Sequence, residues 1–165
     1  MAAYEVLLPI FDDDGRRTTL FLQHVVGKLL RRPYEVAIEA LGERDDPLDA
    51  IEKACRKEAP MYGAYFAIAY ERQDADTFEM RAERCFFLDF FSRHGNPLLT
   101  TALCAWDANW MRAIDPAVSG LRAERTSLMS LGDDACRFRV IGTDDPLALY
   151  SDKLDEQFGA ERESG

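Results

Sequence analysis

Residues 121–141, LRAERTSLMSLGDDACRFRVI, carry the pattern that most directly predicts the fold. Their second half alternates apolar and basic side chains: Cys136, Phe138 and Val140 against Arg137 and Arg139. Alternation with a period of two is typical of a strand that buries one face. A polar turn at 131–134 separates two such segments, so the stretch predicts an antiparallel hairpin with strands at 121–130 and 135–141.

A similar pattern precedes it at residues 65–83. Apolar residues recur there at every second position: Phe66, Ile68 and Tyr70, then Phe78, Met80 and Ala82. The intervening segment 73–76 is polar enough for a loop. These residues predict a first antiparallel hairpin with one face in water, although the glutamates, arginines and alanines between them also favour a helix.

Two helices are predicted between the hairpins. Residues 85–93 are apolar nearly all round, which predicts a buried helix that ends at His94 and Gly95. Pro97 can open the second helix, which extends to about residue 113. That helix carries a core stripe at helical spacing: Leu99, Leu103, Trp106, Trp110 and Ile114.

The N-terminal part of the chain has a helical pattern. Two neighbouring rows form one apolar stripe: Phe21, Val25 and Leu29 beside Leu22, Val26 and Leu30. Further helices are expected at 34–41 and from Pro47. We therefore predict an α+β fold with N-terminal helices, two antiparallel hairpins forming a sheet, and two central helices between them. A single domain covers residues 1–143, and residues 144–165 form a partly helical C-terminal tail.

Composition narrows the possible functions. The 165 residues suit one domain. Their net charge of −10 argues against binding to nucleic acid or to an anionic membrane, because both surfaces attract Lys and Arg. No apolar run is long enough to span a membrane, and the N-terminus lacks the basic segment of a secretory signal. The four cysteines form no CxxC pair, which indicates a reduced, cytoplasmic protein.

Candidate catalytic groups lie on the second central helix. Thr100, Cys104 and Asp107 share one flank of it, beside the stripe that contains Trp106. A thiol and a carboxylate at the edge of an apolar site fit a nucleophilic or acid–base pair, with His94 as a third group. The same spacing also fits a buried cysteine, a solvated aspartate and a surface histidine.

The second hairpin offers candidate ligand-binding groups. Arg125 and Thr126 on one strand and Cys136 on the other are placed to meet across the pair and face a ligand carboxylate. Cys136 fits a core position equally well. No metal is expected, because the cysteines lack the paired short spacings of a zinc site. No cofactor is expected either, since the sequence has no glycine-rich phosphate loop.

The order of these residues resembles that of a known family. The matching elements are Cys85, Gly95-Asn96-Pro97, Cys104-Ala105-Trp106-Asp107, Arg125-Thr126, and Gly132 followed by Cys136-Arg137-Phe138. Over residues 85–140 they resemble the L-2-amino-thiazoline-4-carboxylic acid hydrolases, with Arg137 where that family usually has Asp. The second half also resembles ligand-binding domains of the 4-vinyl-reductase type, which share a Gly-x-x-x-Cys-x-Phe hairpin.

The first resemblance implies a small hydrolase that opens, or forms, a polar heterocycle at an amidine-like carbon. Cys104 or an activated water would attack, Asp107 would hold the protonated amidine, and Arg125 would bind the substrate carboxylate. The predicted substrate-binding set is Arg125, Thr126, Cys136, Thr100 and Trp106. The second resemblance implies a non-catalytic module that binds a small molecule. Pairing of the hairpin edges would permit a homodimer.

Overall fold

The computed structural model describes residues 1–162, with side chains up to residue 159. Helices α1 (Ala2–Leu7), α2 (Gly15–Val26), α3 (Arg31–Gly42) and α4 (Pro47–Tyr62) precede the first strand. The strands are β1 (Phe66–Arg72), β2 (Thr77–Cys85), β3 (Leu121–Ser127), β4 (Cys136–Gly142) and β5 (Ser151–Asp152). Helices α5 (Phe86–Arg93), α6 (Thr100–Asp107), α7 (Asn109–Arg112) and α8 (Pro116–Ser119) separate β2 from β3, and α9 (Lys153–Arg162) follows β5.

The strands form one mixed sheet in the order β1-β2-β4-β3-β5. Both predicted antiparallel hairpins are confirmed, and they join through β2 and β4, where Met80 lies opposite Phe138. Strand β5 pairs in parallel with β3 and places Asp152 beside Arg125. The α+β prediction is therefore correct, and β5 is an addition to it.

The two faces of the sheet differ as the alternating pattern predicts. The inner face contributes buried side chains to the core: Phe78, Met80, Ala82, Ala123, Phe138 and Val140. The outer face carries ion pairs, in which Arg139 binds Glu79 and Glu124, each at 3.2 Å. Glu79 is 8% exposed, so its carboxylate is accommodated by the ion pair with Arg139 more than by water, whereas the helices cover the inner face.

Helix α5 differs from the prediction of a buried helix. None of its residues is fully buried, and Phe86 and Phe90 are 39% and 36% exposed. The helix packs on α6 and on the turn before it, and Phe87 contacts Phe66 of β1, but Phe86 and Phe90 face outward. Their exposed surface is reduced by contact with one another, since the Phe86 and Phe90 ring centroids lie 6.0 Å apart.

The stripe predicted along α2 is also partly wrong. Phe21 and Val25 are exposed, and the helix ends at Val26, before Leu29 and Leu30. The buried face instead contains Thr18, Thr19, Leu22 and Gln23. The Gln23 Nε2 atom donates to the Thr101 Oγ1 atom on α6 at 2.7 Å, so a buried polar contact joins α2 to the central helix.

The helix predicted from Pro97 is present as consecutive segments. A 3₁₀ turn at Pro97–Leu99 leads into α6, and Ala108 separates α6 from α7. Leu99, Trp110 and Ile114 are buried as the stripe predicts, whereas Leu103 and Trp106 are half-buried. Leu103 and Trp106 both line an internal space.

The segment after residue 143 contributes to the core. Leu154 and Phe158 of α9 are buried in the same cluster as the inner face of the sheet. This packing was not evident from the sequence, because β5 is only two residues long and follows a loop containing Asp144, Asp145 and Pro146.

Replacing Asp46 by alanine is expected to lower the free energy of unfolding by about 1 kcal/mol, the usual loss for an N-cap. The Asp46 carboxylate accepts a hydrogen bond from the backbone N–H of Asp49 at 2.9 Å and so caps α4. Urea denaturation measures the change. Asp45→Ala is the matched control, since Asp45 is exposed and does not cap the helix. Equal losses in the two variants would contradict this account.

Candidate active site

An internal cavity of about 250 Å³ lies between the inner face of the sheet and helices α3, α4 and α6. Its wall is mostly apolar and aromatic. The lining residues are Tyr34, Ala37, Ile38, Leu41, Ile51, Ala54, Cys55, Glu58, Tyr62, Phe66, Ile68, Met80, Ala82, Cys85, Phe87, Thr100, Leu103, Cys104, Trp106, Asp107, Trp110, Leu128, Cys136 and Phe138. Ala37 and Glu58 are the exposed members, so the cavity opens between α3 and α4.

The polar flank predicted on the central helix faces this cavity. Thr100, Cys104 and Asp107 lie along one side of α6 and all contribute to the wall. Trp106 and Cys136 also line it, and the Trp106 ring packs edge-on against Tyr34 with centroids 6.3 Å apart. The structure therefore brings these sequence-selected residues around one space, because helical spacing aligns the first three and the second hairpin lies opposite.

The other predicted site residues lie elsewhere. His94 is exposed at the end of α5, where its Nδ1 atom is 2.7 Å from the carbonyl oxygen of Phe90. Thr126 is exposed where the pairing of β3 with β4 shifts register, between Arg125 and Ser127. Neither residue lines the cavity. His94 lies outside the cavity because it ends α5 at the surface, and Thr126 does so because it lies at an exposed irregularity of β3.

Arg125 lies behind the cavity wall rather than on it. Its Nε and Nη2 atoms donate to the two carboxylate oxygens of Asp152 at 2.9 and 2.7 Å, and neither side chain is exposed. The third nitrogen, Nη1, donates to the backbone oxygen of Cys104 at 2.8 Å. Arg125 therefore pairs with internal partners and does not line the cavity.

These contacts fix the C-terminal end of α6. Arg125 binds the Cys104 carbonyl, and Arg112 donates to the carbonyl of Ala105 at 3.4 Å. Asp152 holds both cations, since it also lies 3.4 Å from Arg112. Cations near a helix C-terminus offset its dipole, and Arg125 adds a second donor to the Cys104 carbonyl, which also accepts from the backbone N–H of Ala108. The last residue of the helix, Asp107, is thereby held in place by the tail of the chain.

Asp107 is an unpaired carboxylate deep in the molecule. Within residues 1–162 it makes no hydrogen bond or salt bridge, and the surface it exposes faces the cavity. Burial raises the pKa of this carboxyl to about 6, an effect that Arg125 partly opposes and Asp152 adds to. A carboxyl with a pKa near 6 can accept and return a proton close to neutral pH.

All four cysteines line the cavity, and each has a free thiol. Burial raises the pKa of Cys104 to about 11, although Arg125 and a contact of 3.4 Å with the Ser130 hydroxyl oppose this shift. Burial likewise raises the pKa of Cys136 to about 12. At pH 7 a thiol with a pKa near 11 is ionised in about one molecule in 10⁴. The resting site thus contains thiols, not thiolates.

Sequence reasoning missed the N-terminal half of the wall. Tyr34 on α3 and Glu58 and Tyr62 on α4 face the cavity, and their helices show ordinary apolar periodicity. The face containing Ile51 and Cys55 was visible from spacing, but such a face is also what a packed core requires. Only the arrangement of three helices over the sheet reveals that these side chains surround an open space.

No helix in the described residues combines the length and apolar character that crossing a membrane requires. Among the same residues, no three His, Cys, Asp or Glu side chains are grouped so that they could bind a metal ion.

Fold and site together define a small α+β protein with an apolar internal cavity and one deeply placed carboxylate. The sequence model of one family, described as L-2-amino-thiazoline-4-carboxylic acid hydrolase, matches residues 6–140. The chain belongs to this family, which confirms the resemblance and extends it into the N-terminal half. A comparison with curated proteins finds no match.

Proposed function

We propose that the protein hydrolyses the C–N bond of a small cyclic amidine in this cavity, with Asp107 as the general base. The observation that supports the proposal best is the unpaired carboxylate of Asp107 in an apolar, partly enclosed space. A family relationship to a hydrolase of a cyclic isothiourea agrees with it. The four free thiols also support a reducing, cytoplasmic location.

In the proposed reaction, one oxygen of Asp107 accepts a hydrogen bond from the protonated amidine, which makes the amidine carbon more electrophilic. The other oxygen takes a proton from water as the water oxygen bonds to that carbon. The ring C–N bond then breaks, and the proton held by Asp107 moves to the departing ring nitrogen. One water is consumed, and the amidine carbon becomes a carbonyl without change of oxidation state.

Water is a better attacking group than Cys104 in this site. The raised pKa of Cys104 leaves little thiolate, and no described histidine or lysine lines the cavity to deprotonate it. Asp107 is the group with a pKa suited to proton transfer near neutrality. Cys104 and Cys136 are then part of the wall, which agrees with the apolar behaviour of buried thiols.

Cys104→Ser is accordingly expected to change kcat/KM by less than about threefold, because neither proton transfer nor attack uses the thiol. Steady-state kinetics on a turned-over amidine measures this. Cys55→Ser, on the opposite wall, is the matched control for replacing a lining thiol by a hydroxyl. A loss of about 100-fold or more in Cys104→Ser alone would instead assign the attack to this cysteine.

The proposed function is tested by incubating the protein with 2-amino-thiazoline and with 2-amino-thiazoline-4-carboxylic acid. Mass spectrometry detects ring opening as the addition of one water. Protein carrying Asp107→Asn, purified in the same way, controls for a contaminating hydrolase. The absence of a water adduct from either ring, with the protein shown to be folded, would contradict the proposed function.

A non-catalytic binding module is the second candidate, and the apolar wall of the cavity favours it. The cavity of about 250 Å³ is smaller than the ~300–1,000 Å³ of typical sites for drug-sized ligands, so a single small ring suits it better than a tetrapyrrole. Tight binding of these rings without turnover would support this role over hydrolysis.

A further inference from the structure

The charged groups around the cavity have one sign. Asp107 lies in the interior and Glu58 at the mouth, and no lysine, arginine or histidine of the described chain lines the wall. Arg125, whose charge acts on Asp107, lies behind the wall, where Asp152 pairs with its guanidinium and the backbone of Cys104 accepts a further hydrogen bond. A ligand carboxylate would therefore lose its hydration beside Asp107 without a cation to pair with.

Aromatic rings surround the same space. They include Tyr34, Tyr62, Phe66, Phe87, Trp106 and Phe138. The faces of such rings attract delocalised cations, most strongly where water is excluded. Thr100 also lines the cavity, and its buried Oγ1 atom has no hydrogen-bond partner in the described structure. This hydroxyl can accept a hydrogen bond from a ligand. These features together suit a flat cation that donates hydrogen bonds.

We propose that the substrate is a flat organic cation without a carboxylate: a protonated amidine, guanidine or isothiourea on an apolar ring. The inference rests on the proposed function, because it takes this cavity as the site of reaction. It differs from the substrate named for the family, which carries a carboxylate on its ring. Asp107 pairs with the cation, and the aromatic wall covers its ring.

A matched pair of rings tests the carboxylate. Calorimetry compares the binding of 2-amino-thiazoline with that of 2-amino-thiazoline-4-carboxylic acid, which has the same ring and one added carboxylate. The uncarboxylated ring should bind at least about 100-fold more tightly, since the carboxylate gains no ion pair. Equal affinities, or tighter binding of the carboxylated ring, would overturn the inference.

A second pair tests the cation. Benzamidine is a flat cation, and benzamide is a neutral molecule of nearly the same shape. The wild-type protein should prefer benzamidine by at least about tenfold, and Asp107→Asn should reduce that preference to about threefold or less. Asp45→Asn, which removes an exposed carboxylate away from the cavity, should retain it. A failure of the wild-type protein to bind either benzamidine or 2-amino-thiazoline would also overturn the inference.

These measurements separate the inference from the proposed function, because binding is recorded without turnover. Tight binding of the cations with no water adduct would contradict hydrolysis and leave the ligand class standing. Efficient hydrolysis of the carboxylated ring in preference to the uncarboxylated one would support hydrolysis and contradict the proposed ligand class.

Discussion

Replacing Asp152 by alanine is expected to lower the free energy of unfolding by about 3–5 kcal/mol, the usual cost of leaving a buried charge without its partner. The substitution removes both carboxylate contacts to Arg125, at 2.9 and 2.7 Å, in a place where neither side chain is exposed. It also removes the acceptor for the backbone N–H of Leu154, at 2.9 Å. Guanidinium chloride denaturation measures the loss.

An exposed pair provides the matched control. Asp134 binds Arg137 with two hydrogen bonds of 2.8 and 3.0 Å, but its side chain is 78% exposed. Asp134→Ala should therefore cost no more than about 1 kcal/mol. The double variant Arg125→Met/Asp152→Leu should recover much of the loss, because it removes both charges. A loss below about 1 kcal/mol in Asp152→Ala would show that the pair does not hold the fold.

Asp107→Asn is expected to reduce kcat/KM at least about 100-fold, because an amide cannot take a proton from water. In the wild-type protein, kcat/KM should fall as the pH drops through about 6, where this carboxyl becomes protonated. The variant should lack that limb of the profile. A loss of less than about threefold would exclude Asp107 as the base.

The same substitution should stabilise the protein at neutral pH. The pKa of Asp107 is raised from 3.8 to about 6 by folding, so the folded protein holds its proton more tightly than the unfolded chain. This carboxyl therefore favours the folded state fully below pH 4, and the advantage is lost as the pH rises through about 6. Replacing it by Asn should raise the free energy of unfolding at pH 7 by an amount on the order of 1–3 kcal/mol.

The difference between the two proteins, followed from pH 4 to 8, isolates this group from the other carboxyls. Asp45→Asn is again the control, and it should change neither the activity nor the pH dependence of stability. If Asp107→Asn proved less stable than the wild type at pH 7, the carboxylate would have a favourable partner in the folded protein.

Much of the fold could be predicted from local patterns. Alternation in β2 and β4 identified both hairpins, because a strand with one wet face records its burial at every second residue. The same reasoning failed for α2, whose buried face includes Thr18 and Gln23. Those polar side chains are buried because a hydrogen bond to Thr101 satisfies one of them, and apolar spacing cannot reveal such a partner.

The part of the site that local spacing predicted best lies on one helix, with Cys136 of β4 opposite it. Thr100, Cys104 and Asp107 share a flank of α6, so their spacing was sufficient to bring them together. The pairing of Arg125 with Asp152 could not be predicted, since Asp152 lies in a strand of only two residues. Two further predictions from the sequence remain predictions: that the domain ends at residue 143, and that the chain can form a homodimer.

The position of Asp152 in the chain has a consequence for how the protein matures. Synthesis proceeds from the N-terminus, so Arg125 and the whole of α6 exist before the residue that neutralises this arginine. Without Asp152, the two paired hairpins would have a guanidinium on their inner face with no carboxylate partner. The inner face of the sheet therefore gains the counter-ion of Arg125 only once β5 has been made.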